Sequence, residues 1–112
     1  SMGGLQALFF ANFYPNLVRG MVLIAPAVGF FEDTFCSASD LEKIKSLIIP
    51  KNIPCTILAG LDDDVIPMDD IEALVDRSQK SPSTKLLKLE DDHQMNQSLE
   101  ILLKEIKLLI EK

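Results

Sequence analysis

The sequence predicts an α/β protein with three layers, helices on both sides of a parallel sheet. Three observations carry that prediction. Helical and extended patterns alternate along the chain as helix, strand, helix, strand, helix, strand, helix, the order that parallel strands joined by right-handed crossovers generate. Two extended segments, 21–25 (MVLIA) and 55–59 (CTILA), are unbroken apolar runs, as strands covered on both faces require. The C-terminal segment repeats apolar residues at helical spacing. No repeat, low-complexity tract or long linker interrupts the 112 residues, so they read as a single domain.

Taken in order, Leu5, Ala7, Leu8, Phe9, Phe10, Ala11 and Phe13 are apolar almost all round, which predicts a helix buried on more than one side and ended before Pro15. Segment 21–25 follows as the first strand. Ser39 with Glu42 three residues later makes a capping box ahead of Leu41, Ile44, Leu47 and Ile48, which predicts a helix over about 40–49. The second strand, 55–59, enters through Pro54 and stops at Gly60. Asp69 and Asp70 fall where carboxylates complement a helix dipole, and Ile71, Leu74 and Val75 supply that helix's core stripe. Segment 84–89 is the third strand, and its Lys85 and Lys88 mark it as a sheet edge. Leu99, Leu102, Leu103, Ile106, Leu109 and Ile110 line one face of the last helix, with Glu100 and Lys104 one turn apart. Segment 21–25 has the composition of an interior strand with a neighbour on each side. Further strands are therefore expected beyond these three, absent, cleaved off or on another chain.

Composition removes several function classes. With 47% hydrophobic residues the chain is globular, not disordered. Its net charge of −6 leaves no basic stripe for phosphate backbones, so no nucleic-acid partner is expected. Segment 21–31 is the longest apolar stretch; it falls short of the ~20 residues a bilayer needs and is interrupted by Pro26 and Gly29. No Lys or Arg precedes segment 5–13, so no secretory signal is evident. Cys36 and Cys55 form neither a disulfide framework nor a zinc site. A reducing cytoplasm is the default location, with no metal or cofactor implied.

Ligands of parallel α/β sheets lie at the carboxyl ends of the strands, and three features converge there. Ser1-Met2-Gly3-Gly4 precedes the first helix, and each glycine in a first turn costs roughly 1 kcal/mol against alanine. One reason for them is a backbone that passes close to a neighbouring strand and a bound group, with Ser1 exposed on a sharp turn beside the Met2 amide. Alternatively Ser1 is a simple N-cap, or Ser-Met is the remnant of a cleaved tag. After the second strand comes 60–67 (GLDDDVIP), whose carboxylate cluster is either a solvated loop or a functional one. After the third comes Asp91-Asp92-His93, with the only histidine. A lone histidine often serves as an ordinary surface or core residue, but imidazole is also the side chain suited to moving a proton near neutral pH.

The ordered set resembles the α/β-hydrolase family, whose chain order is nucleophile, acid, histidine. SMGG resembles the second half of the G-x-S-x-G nucleophile elbow, GLDDDVIP the family's G-x-x-D-x-x-V/I-P acid loop, DDHQM its histidine loop, and PNLVRGMVLIAPA the strand after the elbow helix. The resemblance spans essentially the whole chain. It implies the C-terminal part of an α/β-hydrolase fold beginning at the elbow, with Ser1 as nucleophile, Asp63 as the acid and His93 as the base. The Met2 amide would be one oxyanion donor. Segment 26–54 corresponds to the place of the family's lid, here a short insertion. Phe30, Phe31 and Phe35, with Met95 near the histidine, are candidates for lining an acyl pocket, or else they pack the short helix onto the body. The implied activity is hydrolysis of small-molecule esters or thioesters through an acyl-enzyme.

The elbow's first glycine and the second oxyanion donor, which the family draws from an early loop, are not in this sequence. The isolated chain is therefore expected to be nearly inactive, and the N-terminal half of the fold is an implied partner. Two rivals stand beside this reading. Asp62-x-Asp64-Val65 resembles the D-x-D-x-T/V signature of haloacid-dehalogenase-like phosphatases, with Asp91 and Asp92 as later Mg²⁺ ligands, although that family opens on its nucleophile strand. The other rival is a non-catalytic hydrolase-fold scaffold or half-domain used for association.

Overall fold

The computed structural model describes residues 2–29, 37–78 and 83–111. Its element order is α1 (Met2–Phe13), a 3-10 turn (Pro15–Leu17), β1 (Met21–Ile24), α2 (Ala38–Ser46), β2 (Cys55–Gly60), α3 (Met68–Arg77), β3 (Thr84–Leu89) and α4 (Leu99–Ile110). The three strands form one parallel sheet in the order β1-β2-β3, in register through Met21 with Cys55 and Cys55 with Thr84. The alternation of the sequence thus becomes the predicted three-layer arrangement.

Two lysines show how the layers are assigned. Side chains three apart on a strand point to opposite faces. Lys85 reaches Glu105 of α4 at 2.9 Å, and Lys88 reaches Glu72 of α3 at 2.6 Å. Helices α3 and α4 therefore cover opposite faces of the sheet. Helix α1 shares the α3 side, where Leu5, Leu8 and Ala11 join Met21, Leu23, Cys55, Ile57, Ala59, Ile71 and Leu74 in one core cluster. Among the described residues β3 is an edge strand, as expected, but its lysines are tied down by carboxylates on the flanking helices.

Strand β2 is buried at every residue, as its unbroken apolar run requires. Cys55 lies within it, and burial pushes its thiol up to about 12, which leaves it a packing residue. Strand β1 is different. Met21 and Leu23 are buried, Val22 and Ile24 only partly so, and β2 is the only strand that pairs with it among the described residues.

Several local expectations need correction. Helix α1 is buried along one stripe, Leu5, Leu8 and Ala11, rather than on several sides. Phe10 and Phe13 are exposed and pair within the helix region, Phe13 with Phe9 and Phe10 with Tyr14. Among the described residues only one layer lies against this helix. The N-cap of α2 is Ser37, not Ser39: its extended backbone (φ −71°, ψ 161°) aims the hydroxyl at the Asp40 amide, 3.1 Å away. The helix ends at Ser46 because Leu47 turns extended, held there as its carbonyl accepts from Arg77 Nε at 2.6 Å. In α4 the buried residue is Glu105, drawn under by Lys85, while Leu99, Leu103, Ile106 and Ile110 are exposed. The ion pair along this helix is Lys107 with Glu111 at 3.9 Å.

Candidate active site

The end of β2 leads into a turn built by Asp63. Its Oδ1 accepts from the amides of Val65 at 2.8 Å and Ile66 at 2.9 Å, a side-chain-to-backbone turn of the kind aspartate favours. That fixes the carboxylate and leaves Oδ2 facing inward. His93, from the loop after β3, meets it there: Nδ1 stands 2.9 Å from Asp63 Oδ2 across thirty residues of sequence. The Asp63 side chain is 3% exposed and the imidazole 23%, so the contact is shielded but one side of the ring is open.

The two loops are stitched together by their backbones. Leu61 N donates to Leu89 O at 2.8 Å and Asp62 N to Asp91 O at 3.1 Å. Gly60 makes the approach possible, because a Cβ there would collide with the Asp91 carbonyl oxygen and stand 2.9 Å from that of Asp92. Position 60 has to lack a side chain for Asp63 to meet His93.

Burial alone raises the Asp63 carboxyl, but the Ile66 amide, the His93 hydrogen bond, the Val65 amide and the His93 charge together bring it below its ordinary 3.8. At neutral pH it is ionised and can only accept. The hydrogen between the pair therefore belongs to Nδ1, and whenever the imidazole is neutral its free lone pair is on Nε2. Asp62 and Asp64 are more exposed than Asp63 and have no hydrogen bond to the histidine. Of the three adjacent carboxylates, Asp63 is the one that contacts His93.

The start of α1 lies at the same edge of the sheet. A Cβ on Gly4 would stand 2.9 Å from Pro26 Cβ and 3.0 Å from Pro26 Cα, just past the end of β1, whereas one on Gly3 would meet nothing within 4 Å. Of the two glycines singled out in the sequence, Gly4 answers to a close approach. Ala25, between β1 and Pro26, takes a positive φ of 42°, uncommon for a residue with a side chain. Met2 is the first residue of α1 and is half exposed. Met95, two residues past His93, is 7% exposed and belongs to the core cluster, with a φ of 57°. Ser1, Phe30, Phe31, Phe35 and Cys36 lie outside the described residues.

Asp91 appeared only as a metal ligand in the phosphatase alternative. Its carboxylate instead accepts from Asp92 N at 2.8 Å, Gln97 N at 2.9 Å and Ser98 Oγ at 2.8 Å. The doublet Asp91-Asp92 before the histidine was the available signal, but nothing in it tells which carboxylate turns inward.

A parallel sheet flanked by helices, with an acid after one strand and its histidine after the next, defines a class of α/β proteins with a strand-end site. Comparison with known proteins narrows it. No protein-family model and no curated protein sequence matches the chain. Solved structures do. Alpha/beta hydrolase domain-containing protein 10 from mouse superimposes with a TM-score of 0.77 at 19% identity, over 99% of this chain and 59% of its own. Est1E from Butyrivibrio proteoclasticus gives 0.67 at 20% identity over 100% of this chain and 60% of its own. A CIB-like hydrolase from Thermoplasma acidophilum gives 0.65 at 19% over 100% and 48%. The fold of this chain is that of the C-terminal part of an α/β-hydrolase, and it spans about half to three-fifths of the length of these structures. Among the described residues no helix is long and apolar enough to cross a membrane.

Proposed function

We propose that the protein carrying this chain is a serine hydrolase acting on carboxylic esters or thioesters through an acyl-enzyme. The observation that carries the reading is the 2.9 Å contact between His93 Nδ1 and Asp63 Oδ2 at the carboxyl edge of the sheet. Two of the structural neighbours are named as hydrolases, which favours the same class.

In this mechanism Ser1 Oγ attacks the carbonyl carbon while His93 Nε2 takes its proton. Asp63 holds the ring with Nδ1 protonated and stabilises the imidazolium. The carbonyl electron pair, pushed onto oxygen, is met by the Met2 amide. It returns to expel the alcohol or thiol, which leaves with the proton from His93. Water then attacks the acyl-serine, giving its proton to His93, and the acid and free Ser1 are regenerated. Phe30 and Phe31, with Met95 near the histidine, are the residues assigned to bind the acyl group in this reading. The protein works as a soluble cytoplasmic enzyme without metal or cofactor. Residues 26–54 stand where the family inserts its lid, and so small an insertion gives no large enclosed lid, which suits small or linear acyl groups in this reading.

The 112 residues alone are nearly inactive in this reading, because a second oxyanion donor comes from the N-terminal half of the fold. Loss of one such donor typically costs about 10²–10³ in rate. The phosphatase alternative gains nothing from the geometry, since the inward carboxylate is Asp63 and neither Asp62 nor Asp64.

Labelling with a fluorophosphonate tests the proposal. The full-length protein is expected to take one label at Ser1, lost in Ser1→Ala and strongly reduced in His93→Ala. A folded full-length protein that resists serine-directed probes and hydrolyses no activated ester would overturn it in favour of a scaffold.

A further inference from the structure

We propose that Asp91 is a positioning residue for His93, closing the histidine loop on itself and fastening it to the loop of Asp63. The inference rests on the reading of His93 as the base. It concerns a residue which that reading leaves without a role.

The side chain of Asp91 does not point toward the imidazole or toward solvent. At 4% exposed it is buried, and both oxygens are engaged within its own loop. Oδ1 accepts from the amide of Asp92, the residue just before His93; Oδ2 accepts from the amide of Gln97 and the hydroxyl of Ser98, beyond it. One carboxylate thus gathers donors from both sides of the histidine, and the intervening residues are held as a closed loop. Inside that loop Gln94 N donates to Asp92 Oδ1 at 3.0 Å, Met95 N to Asp92 O at 3.3 Å and Ser98 N to Met95 O at 3.1 Å.

The backbone of the same residue faces the other way. Asp91 O accepts from Asp62 N at 3.1 Å, and Asp91 N donates to Leu89 O at 2.8 Å. Asp91 therefore joins the end of β3, the turn that presents Asp63 and the loop that presents His93. Burial alone raises its carboxyl, but the hydrogen bonds from Ser98, Asp92 and Gln97 outweigh that and keep it below the ordinary carboxylate value. An ionised acceptor of three donors is what makes the loop rigid: charge-assisted bonds are shorter and stronger than neutral ones. A cap for α4 would accept from the amides of its first turn, residues 99–101, whereas the three donors to Asp91, Asp92 N, Gln97 N and Ser98 Oγ, all precede the helix and bracket His93.

Rigidity matters here because proton transfer tolerates little displacement. A misplacement of about 1 Å costs on the order of 10² in rate. Asparagine at position 91 keeps one acceptor oxygen, so it can satisfy Gln97 and Ser98 but presents an amide NH₂ to the Asp92 N–H.

The test uses the full-length protein with Asp91→Asn and Ser98→Ala, and reads the ring nitrogens of His93 by ¹⁵N NMR alongside hydrolysis of 4-nitrophenyl acetate. In the parent the ring is expected as a single Nδ1–H tautomer. In both variants the two tautomers mix, and kcat falls about 10-fold or more while KM stays within two-fold. Two folded variants with an unmixed Nδ1–H tautomer overturn the proposal, whatever the activity. Ser98→Ala keeps the carboxylate and two of its three donors, so it decides the matter if Asp91→Asn does not fold. The tautomer readout needs neither Ser1 nor turnover. A shift in it without any ester hydrolysis in the parent would sustain the positioning role and count against the serine hydrolase alone.

Discussion

The carbonyl oxygen of Asp91 occupies the space where a side chain on Gly60 would begin. The last residue of β2 and the loop after β3 are thus in backbone contact, and Asp63 and His93 meet just beyond. Gly60→Ala puts a methyl group into that contact, and a carbonyl in a hydrogen-bonded loop cannot rotate away as a flexible side chain would. Alanine in a strand is otherwise no worse than glycine. The variant is expected to lose about 1–3 kcal/mol in urea unfolding and to weaken the Nδ1–H signal of His93. Unchanged stability with an unchanged signal would mean that the loops part without cost.

Asp63→Asn keeps the shape of the turn but lets the amide present an NH₂ to the ring. His93 then favours the tautomer with Nε2 protonated, which cannot accept a proton from the nucleophile. In the full-length protein kcat for an activated ester is expected to fall by on the order of 10⁴ with a small change in KM. Steady-state kinetics at neutral pH checks this, and a loss below tenfold would remove Asp63 from the mechanism.

Both inward carboxylates of the site, Asp63 and Asp91, titrate below the ordinary value of 3.8 in the folded chain. A depressed folded value means that the folded state holds protons less tightly than the unfolded one. The stabilisation is complete above the unfolded range near pH 4 and is lost as pH falls through the lower folded values. Urea midpoints are expected to be flat on this account from pH 6 down to about 5, then to drop. Asp63→Asn and Asp91→Asn should each make the drop shallower; an equally steep drop in both variants would assign it to other groups.

Ser37→Ala removes the hydroxyl that caps α2, whereas Ser39→Ala removes one inside the helix. The first is expected to destabilise the fold by about 1 kcal/mol and the second by a few tenths or less. Thermal melts of the two variants side by side distinguish them, and the reverse order would restore the capping box at Ser39.

Much of the fold is visible in the residues because burial leaves a period. The runs at β1 and β2, the stripe Ile71-Leu74 of α3 and the spacing along α4 each state an element type without knowledge of its neighbours. Among the three adjacent aspartates, only the resemblance to the hydrolase acid loop pointed to Asp63; in the structure it is the one within 2.9 Å of His93. What could not be read were matters of partner. The capping box with Glu42 pointed to Ser39, and only the extended backbone at Ser37 moves the cap two residues back. An apolar helix surface predicts burial, yet Phe10, Phe13 and most of the α4 stripe lie exposed because nothing among the described residues covers them.

The sequence by itself determined the class of fold, the order and kind of its elements, and the strand ends where an acid and a histidine would stand. The tertiary structure alone decided the strand order, the placing of α3 and α4 on opposite faces through Lys88 and Lys85, the close approach at Gly60, and the inward turn of Asp91. The reason is physical. Periodicity is set by each segment's own burial and survives in the linear pattern, whereas a contact between backbones thirty residues apart depends on the path of the chain through space, which no single segment encodes.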